Sequence, residues 1–228
     1  MFRGVIIGVV SALACTLAAP AAEIAGRIRI TRGLTKKRIS INQVYERAAA
    51  LAPAPVEIGT FQEELKRVVI HLEGGPPATM RRTAVMDQRQ RRFHPEVLAI
   101  PAGSAVSFPN SDPIFHNVFS LSKPKEFDLG NYPNGQSRTI TFEKPGVVLV
   151  HCHLHPNMSA AIVVTPTDWY ARPDSEGGYS LKNVQPGLYT LVAWHKAAGT
   201  FRRTVELKDE TPVVVDFEIP IKEVALHR

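Results

Sequence analysis

Cysteine is the scarcest reactive residue in this 228-residue chain, which has only Cys15 and Cys152. Residues 1–21 read as a secretory signal: Arg3 supplies the charge, residues 5–14 the apolar stretch and Ala19-Pro20-Ala21 an A-x-A cleavage site. That stretch falls short of the roughly 20 apolar residues that cross a bilayer, so no transmembrane segment is expected once the signal is removed. Cys15 leaves with the signal, and Ala12 stands where a lipid-attachment cysteine would have a leucine before it. Cys152 is then the lone thiol of a periplasmic or otherwise exported protein, and no intramolecular disulfide can form. Such a thiol is a liability unless it is buried, bridged to another chain, or committed to a metal or to chemistry.

Other absences close off whole classes. There is no Gly-x-Ser-x-Gly elbow, no phosphate-binding glycine loop and no His-Glu-x-x-His helix, so the enzyme chemistries built on them are not expected. Aromatic residues make up 7% of the chain and do not interleave with the basic ones, which argues against nucleic acid as a partner. The net charge of +6, reduced by one when Arg3 is lost, favours an acidic partner or surface instead.

Against these absences stands Val150-His151-Cys152-His153-Leu154-His155-Pro156-Asn157-Met158, a Cys-x2-His-x2-Met run. Thiolate, imidazole and thioether are soft or borderline donors, and electron-transfer copper sites combine two histidines, one thiolate and a weak axial methionine. The run is one histidine short, and Ser111-Asp112-Pro113-Ile114-Phe115-His116 is the obvious supplier. A nucleophilic Cys152 paired with His116 or His155 would need exposure at an electropositive spot and would leave Met158 without purpose. The chain is therefore not expected to be an enzyme. On a strand, His151 and His153 would point away from Cys152 by the two-residue alternation.

Strand signals dominate the remainder. Residues 23–31 alternate apolar and polar side chains, the period of a half-buried strand. Ile41, Val44, Tyr45, Ala48 and Leu51 have helical spacing behind a Ser40–Gln43 capping box, Pro53 and Pro55 end that helix, and Thr60 with Glu63 suggests a second short turn. Residues 68–72 are again a strand, with His71 read as an exposed or hydrogen-bonded side chain, so residues 33–66 read as an insertion in a sheet. Arg81, Arg82, Arg89, Arg91 and Arg92 mark a solvated hairpin or a docking patch for an acidic redox partner. Further strands at 83–87, 97–100, 106–108, 117–120, 139–142, 147–150 and 160–165, divided by turn sequences, argue for an antiparallel sandwich.

The segment from Phe93-His94-Pro95 through Pro101-Ala102-Gly103 to Asn110-Ser111-Asp112, followed by His116-Asn117-Val118, resembles the core of the cupredoxin family. Cys152-His153-Leu154-His155-Pro156-Asn157-Met158 is similar to the short ligand loop of the plastocyanin- and amicyanin-like members. This resemblance spans roughly residues 68–165 and implies a Greek-key sandwich holding one type 1 copper ion on His116, Cys152, His155 and Met158. It also implies that Asn117 hydrogen-bonds across to the thiolate segment, and that the protein carries single electrons between redox partners. A copper-handling protein without electron transfer is the alternative. His-Cys-His also resembles the run of multicopper oxidases, but the chain has no second His-x-His pair, so His151 and His153 read as surface or hydrogen-bonded side chains, with an auxiliary metal site as the alternative.

Strands follow at 178–181, 188–195, 200–207 and 213–219, and residues 174–191 look like a carboxypeptidase regulatory-like, transthyretin-like sandwich without catalytic residues. His195 reads as an edge-strand side chain. The expected organisation is all-β: a signal at 1–21, a copper domain at 22–165 with a helical insertion at about 33–66, a linker at 166–173 and a small sandwich at 174–228.

Overall fold

The computed structural model describes residues 21–32 and 60–220; residues 1–20 of the expected signal and the helix expected at 40–51 lie outside them. Its first elements are β1 (Ala22–Arg32), α1 (Phe61–Leu65), β2 (Val68–Glu73), β3 (Thr83–Val85), β4 (Asp87–Arg89) and β5 (Arg92–His94). Next come β6 (Val97–Pro101), β7 (Ser104–Pro109), β8 (His116–Ser122), β9 (Lys125–Tyr132), β10 (Ser137–Phe142), β11 (Gly146–His151) and β12 (Ser159–Thr165). The last are β13 (Tyr170–Ala171), β14 (Gly178–Val184), β15 (Gly187–His195), β16 (Gly199–Leu207), β17 (Val213–Val214) and β18 (Phe217–Pro220). The turn expected from Thr60 and Glu63 is α1: the Glu63 backbone N–H donates to the Thr60 hydroxyl, and the Thr60 N–H to the Glu63 carboxylate.

The strands form two sandwiches. In the first, a five-stranded sheet in the order β6-β12-β11-β8-β9 faces the three-stranded sheet β10-β7-β3. Alternation builds the core: Ser104, Val106 and Phe108 of β7 point inward while their neighbours do not. They meet Phe142 of β10 and Val118, Val148, Val150, Ile162 and Val164 of the larger sheet. Strands β8 and β9, like β11 and β12, are sequential neighbours, whereas β11 beside β8 and β12 beside β6 require the crossing connections of a Greek key.

In the second sandwich, β13-β2-β15-β16 faces β14-β1-β17, with β18 also paired to β1. Ile24, Ile28, Phe217 and Ile219 from one sheet and Ile70, Leu72, Leu191 and Leu207 from the other fill its core. Gly26 lets the chain pass from β17 to β18 against β1, since a Cβ there would lie 1.8 Å from the Val215 carbonyl oxygen. These pairings correct the expected boundaries. Strand β1 pairs with β14, β17 and β18, and β2 with β13 and β15, so residues 22–32 and 68–73 belong to the second sandwich, not the copper one. Alternation reveals that one face of a strand is buried, but it carries no information about which sheet receives it. The first sandwich is thus an insertion between β2 and β13.

The segment expected as a linker is packed. The Leu72 N–H donates to the Trp169 carbonyl, the Thr167 hydroxyl to the Leu72 carbonyl, and the Trp169 indole N–H to the Asn183 carbonyl. The two sandwiches meet where Val69 and Trp194 pack on Val97, Ala99, Ala161 and Val163. Around that patch Glu96 receives both Arg67 and Lys196, at 3.1 and 2.7 Å.

His195 is also corrected, because β15 is an interior strand and the ring is fully buried. Its Nδ1 accepts the Ala197 and Ala198 N–H groups, so Nε2 carries the proton that faces Glu64 at 3.0 Å. Both nitrogens are occupied, which leaves no lone pair for a metal. His71 is buried too, with Nε2 3.7 Å from the Glu73 carboxylate.

Burial holds both imidazoles below their ordinary value of 6.5, with Glu73 and Glu64 only partly opposing it. Below that value the unfolded chain takes up protons that the folded chain resists. Their contribution to stability is therefore complete above pH 6.5 and is lost as the pH falls toward the folded values, by at most about 1.4 kcal/mol per pH unit for each ring. Urea unfolding of the metal-free protein should accordingly give a lower free energy at pH 5.5 than at pH 7.5. A flat profile across that interval would show that neither ring resists its proton.

Candidate metal centre

Strand β11 aims the thiol. Val148 and Val150 face the core of the first sandwich, and the same two-residue period carries Cys152 inward just past the strand end, where it is 4% exposed. The loop then closes tightly: the Met158 N–H donates to the His155 carbonyl at 2.9 Å, and the Cys152 N–H to the Met158 carbonyl at 3.3 Å. His155 returns to the thiol, with Nδ1 3.6 Å from Sγ. His116, at the start of β8 and fully buried, brings its Nδ1 to 3.8 Å from the same sulfur. One donor atom from each of His116, Cys152 and His155 lies within 4.8 Å of the other two. Such edges leave room for one ion at the ~2.0–2.3 Å bonds that nitrogen and sulfur donors make. Met158 is 1% exposed and shares the core that holds Cys152.

Asn117 ties three segments together. Its backbone N–H points at Cys152 Sγ from 3.4 Å, its side-chain carbonyl accepts the His153 N–H at 3.4 Å, and its amide donates to Asp128 at 2.6 Å. The side chain thus bonds across to the segment that follows the thiol. His155 is held below the ordinary imidazole value by burial first, then by His116 and Arg91, with Asp112 opposing.

Two further residues stabilise the approach to His116. Asn110 donates to the Ile114 and Tyr132 carbonyls and accepts the Asp112 N–H, which fixes the loop between β7 and β8. Asp112 places Oδ2 2.7 Å from His116 Nε2. Burial disfavours its charge, but the Arg91 N–H, the His116 ring and the Gln90 N–H together hold its carboxyl below the usual carboxylate range. Both residues stand in the Asn-x-Asp that precedes His116, yet their roles were invisible in the sequence because their partners come from β9 and from the β4–β5 turn.

His151 and His153 are not brought to the cluster. His153 stacks on Phe119 with ring centroids 3.6 Å apart, and His151 lies 5.7 Å away on the same ring. They flank an aromatic side chain on the outer face of β8 and β11, and His153 also lies 3.6 Å from Asp128. Among the described residues, only His116, Cys152 and His155 form a three-donor metal cluster of this kind. The arginines also divide. Arg81 and Arg82 donate to the Ala78 and Ala99 carbonyls, whereas Arg89, Arg91 and Arg92 are exposed at the β4–β5 turn and in no ion pair among the described residues.

No family model matches the sequence, and no curated protein matches it. Among solved structures, the chain is similar to a Cu-containing nitrite reductase from Thermus scotoductus SA-01, at 29% identity and a TM-score of 0.34, over 36% of this chain and 22% of that one. It is similar at 26% identity and the same TM-score to an amicyanin mutant in its reduced state, over 36% of this chain and 81% of amicyanin. A purple cupredoxin from Nitrosopumilus maritimus is similar at 24% identity and a TM-score of 0.33, over 36% of this chain and 98% of that one. These neighbours are cupredoxins over about a third of this chain. The reading of its function rests on its own donor residues.

Proposed function

We propose that this is an exported copper protein that carries single electrons between redox partners. The observation that carries the reading is the convergence of the buried Cys152 thiol with the His116 and His155 imidazoles within 4.8 Å. A thiolate with two imidazoles is a donor set that suits copper, and Met158, at the end of the same loop, would supply a weak thioether donor. Copper bound there would supply a one-electron couple. The chain's part is to hold the donors still: β8 and β11 fix His116 and Cys152, and the hydrogen-bonded loop fixes His155 and Met158, so little rearrangement accompanies a change of charge. Nothing in this reading requires a catalytic residue, and the protein is taken as a carrier rather than an enzyme.

His155 is the ligand nearest solvent, bordered by exposed Leu154 and Pro156 and with exposed Phe115 on the other ligand loop. A partner would meet the site on that side. Arg89, Arg91 and Arg92 beside it, in no ion pair among the described residues, favour an acidic partner. Cu(II) added to the purified mature protein should give an intense visible absorption and a reversible one-electron wave, and reduction of that preparation by an acidic donor protein should slow as salt is raised. A colourless complex that binds Cu(I) without redox cycling would instead identify a copper-handling protein. Zinc binding with no preference for copper would overturn both readings.

A further inference from the structure

The two imidazoles of the cluster are not held alike. His155 makes no hydrogen bond to a carboxylate among the described residues, whereas the ring of His116 is bracketed between sulfur and carboxylate, with Nδ1 facing Cys152 and Nε2 facing Asp112. An ionised carboxylate only accepts, so the proton of neutral His116 must lie on Nε2 and the lone pair on Nδ1 must face the cluster. We propose that Asp112 is a positioning residue that locks His116 in this tautomer, enriches Nδ1 with electron density and so biases the site toward Cu(II). This rests on the copper reading above, apart from its tautomer component.

Asp112 is itself over-determined, which sets it apart from a chance neighbour. Its carboxylate accepts the Gln90 N–H at 2.5 Å and the Arg91 N–H at 2.8 Å, its own N–H donates to Asn110, and its carbonyl accepts Asn134 at 2.9 Å. Gln90 and Arg91 have φ of 54° and 55°, the left-handed region that residues with a Cβ seldom adopt. Strained conformations of that kind persist where surrounding contacts fix them, and here the contact is the carboxylate collecting both turn amides. The β4–β5 turn, Asp112 and His116 therefore form one hydrogen-bonded unit. A carboxylate behind a ligating imidazole orients the ring and raises its basicity, and a more basic donor favours the more highly charged ion.

Two measurements test this. In the metal-free wild-type protein, nitrogen NMR of the imidazoles should report His116 protonated at Nε2; an Nδ1-protonated ring would overturn the proposal before any metal is added. In copper-loaded Asp112→Asn, which keeps the shape but loses the charge, the preference for Cu(II) over Cu(I) should fall about tenfold, a rise of about 59 mV for a one-electron couple. The visible band should remain. Gln90→Gly relaxes the turn while keeping its N–H, and should leave the potential where it was. An unchanged or lowered potential in Asp112→Asn, or an equal rise in Gln90→Gly, would reduce Asp112 to a structural support of the turn. If the wild type takes up no copper, the functional reading fails on its own, and the tautomer measurement still decides what Asp112 does to His116. If Asp112→Asn does not fold, the wild-type tautomer again decides.

Discussion

Cys152→Ser is expected to abolish the visible absorption of the Cu(II)-loaded protein, while His151→Ala and His153→Ala leave it in place. The band requires a thiolate donating into the metal, and a serine hydroxyl at the same place is a harder donor that stays protonated at neutral pH. The sulfur is also the point shared by the rest of the cluster, since both Nδ1 atoms lie within 3.8 Å of it and the Asn117 N–H points at it. Serine differs from cysteine by one atom, so the loss should come without unfolding. The unfolding free energy of the metal-free variant in urea should fall by no more than about 1–3 kcal/mol, the range for leaving one buried polar group unsatisfied. His151 and His153 lie on the opposite side of the strand against Phe119, so their removal touches the aromatic contact and not the sulfur. Absorption titration with Cu(II) on the four proteins decides it. A serine variant that keeps the band would remove Cys152 from the site, and a band lost with His151 would move the site to the outer face.

Much of this centre could be read from the chain because its determinants are local. The alternation along Val148, Val150 and Cys152 fixes the direction of the thiol, and six residues of loop return His155 and Met158 to the same end of the sheet. His116 needed the resemblance, since spacing alone does not pair two strand ends. What escaped the sequence is what depends on partners far along the chain. Asp112 gains its role from the amides of Gln90 and Arg91, 22 and 21 positions earlier, which nothing in Asn-Ser-Asp announces. Strand β9 was hidden as well: Phe127 and Leu129 alternate correctly, but Asp128, Gly130 and Asn131 are poor strand formers, and the pairing with β8 overrides them. The same limitation moved β1 to the wrong sandwich.

That misplaced strand leads to the second large effect. Ile28→Ala is expected to destabilise the second sandwich by about 2–5 kcal/mol, the usual range for emptying a fully buried isoleucine site. Ile28 is completely buried on β1, which stands between β14 on one side and β17 and β18 on the other and so joins the first and last described strands in one sheet. The side chain belongs to the core that includes Ile70, Leu191 and Phe217 and is absent from the core around Cys152. The chain's two tryptophans, Trp169 and Trp194, both lie on the second sandwich, one packed on its core and the other where it meets the first. Trp169 fluorescence therefore reports that sandwich and Trp194 its contact with the first, while the visible band reports the copper centre. With urea m-values of about 1–3 kcal/mol/M, the fluorescence midpoint should fall by roughly 1–2 M, and the midpoint followed by the band should fall less. Equal shifts by both probes would mean that the small patch around Val69, Val163 and Trp194 couples the sandwiches into one cooperative unit. No shift in either would mean that β1 does not hold the second core together, and the assignment of residues 22–32 would return to the copper sandwich.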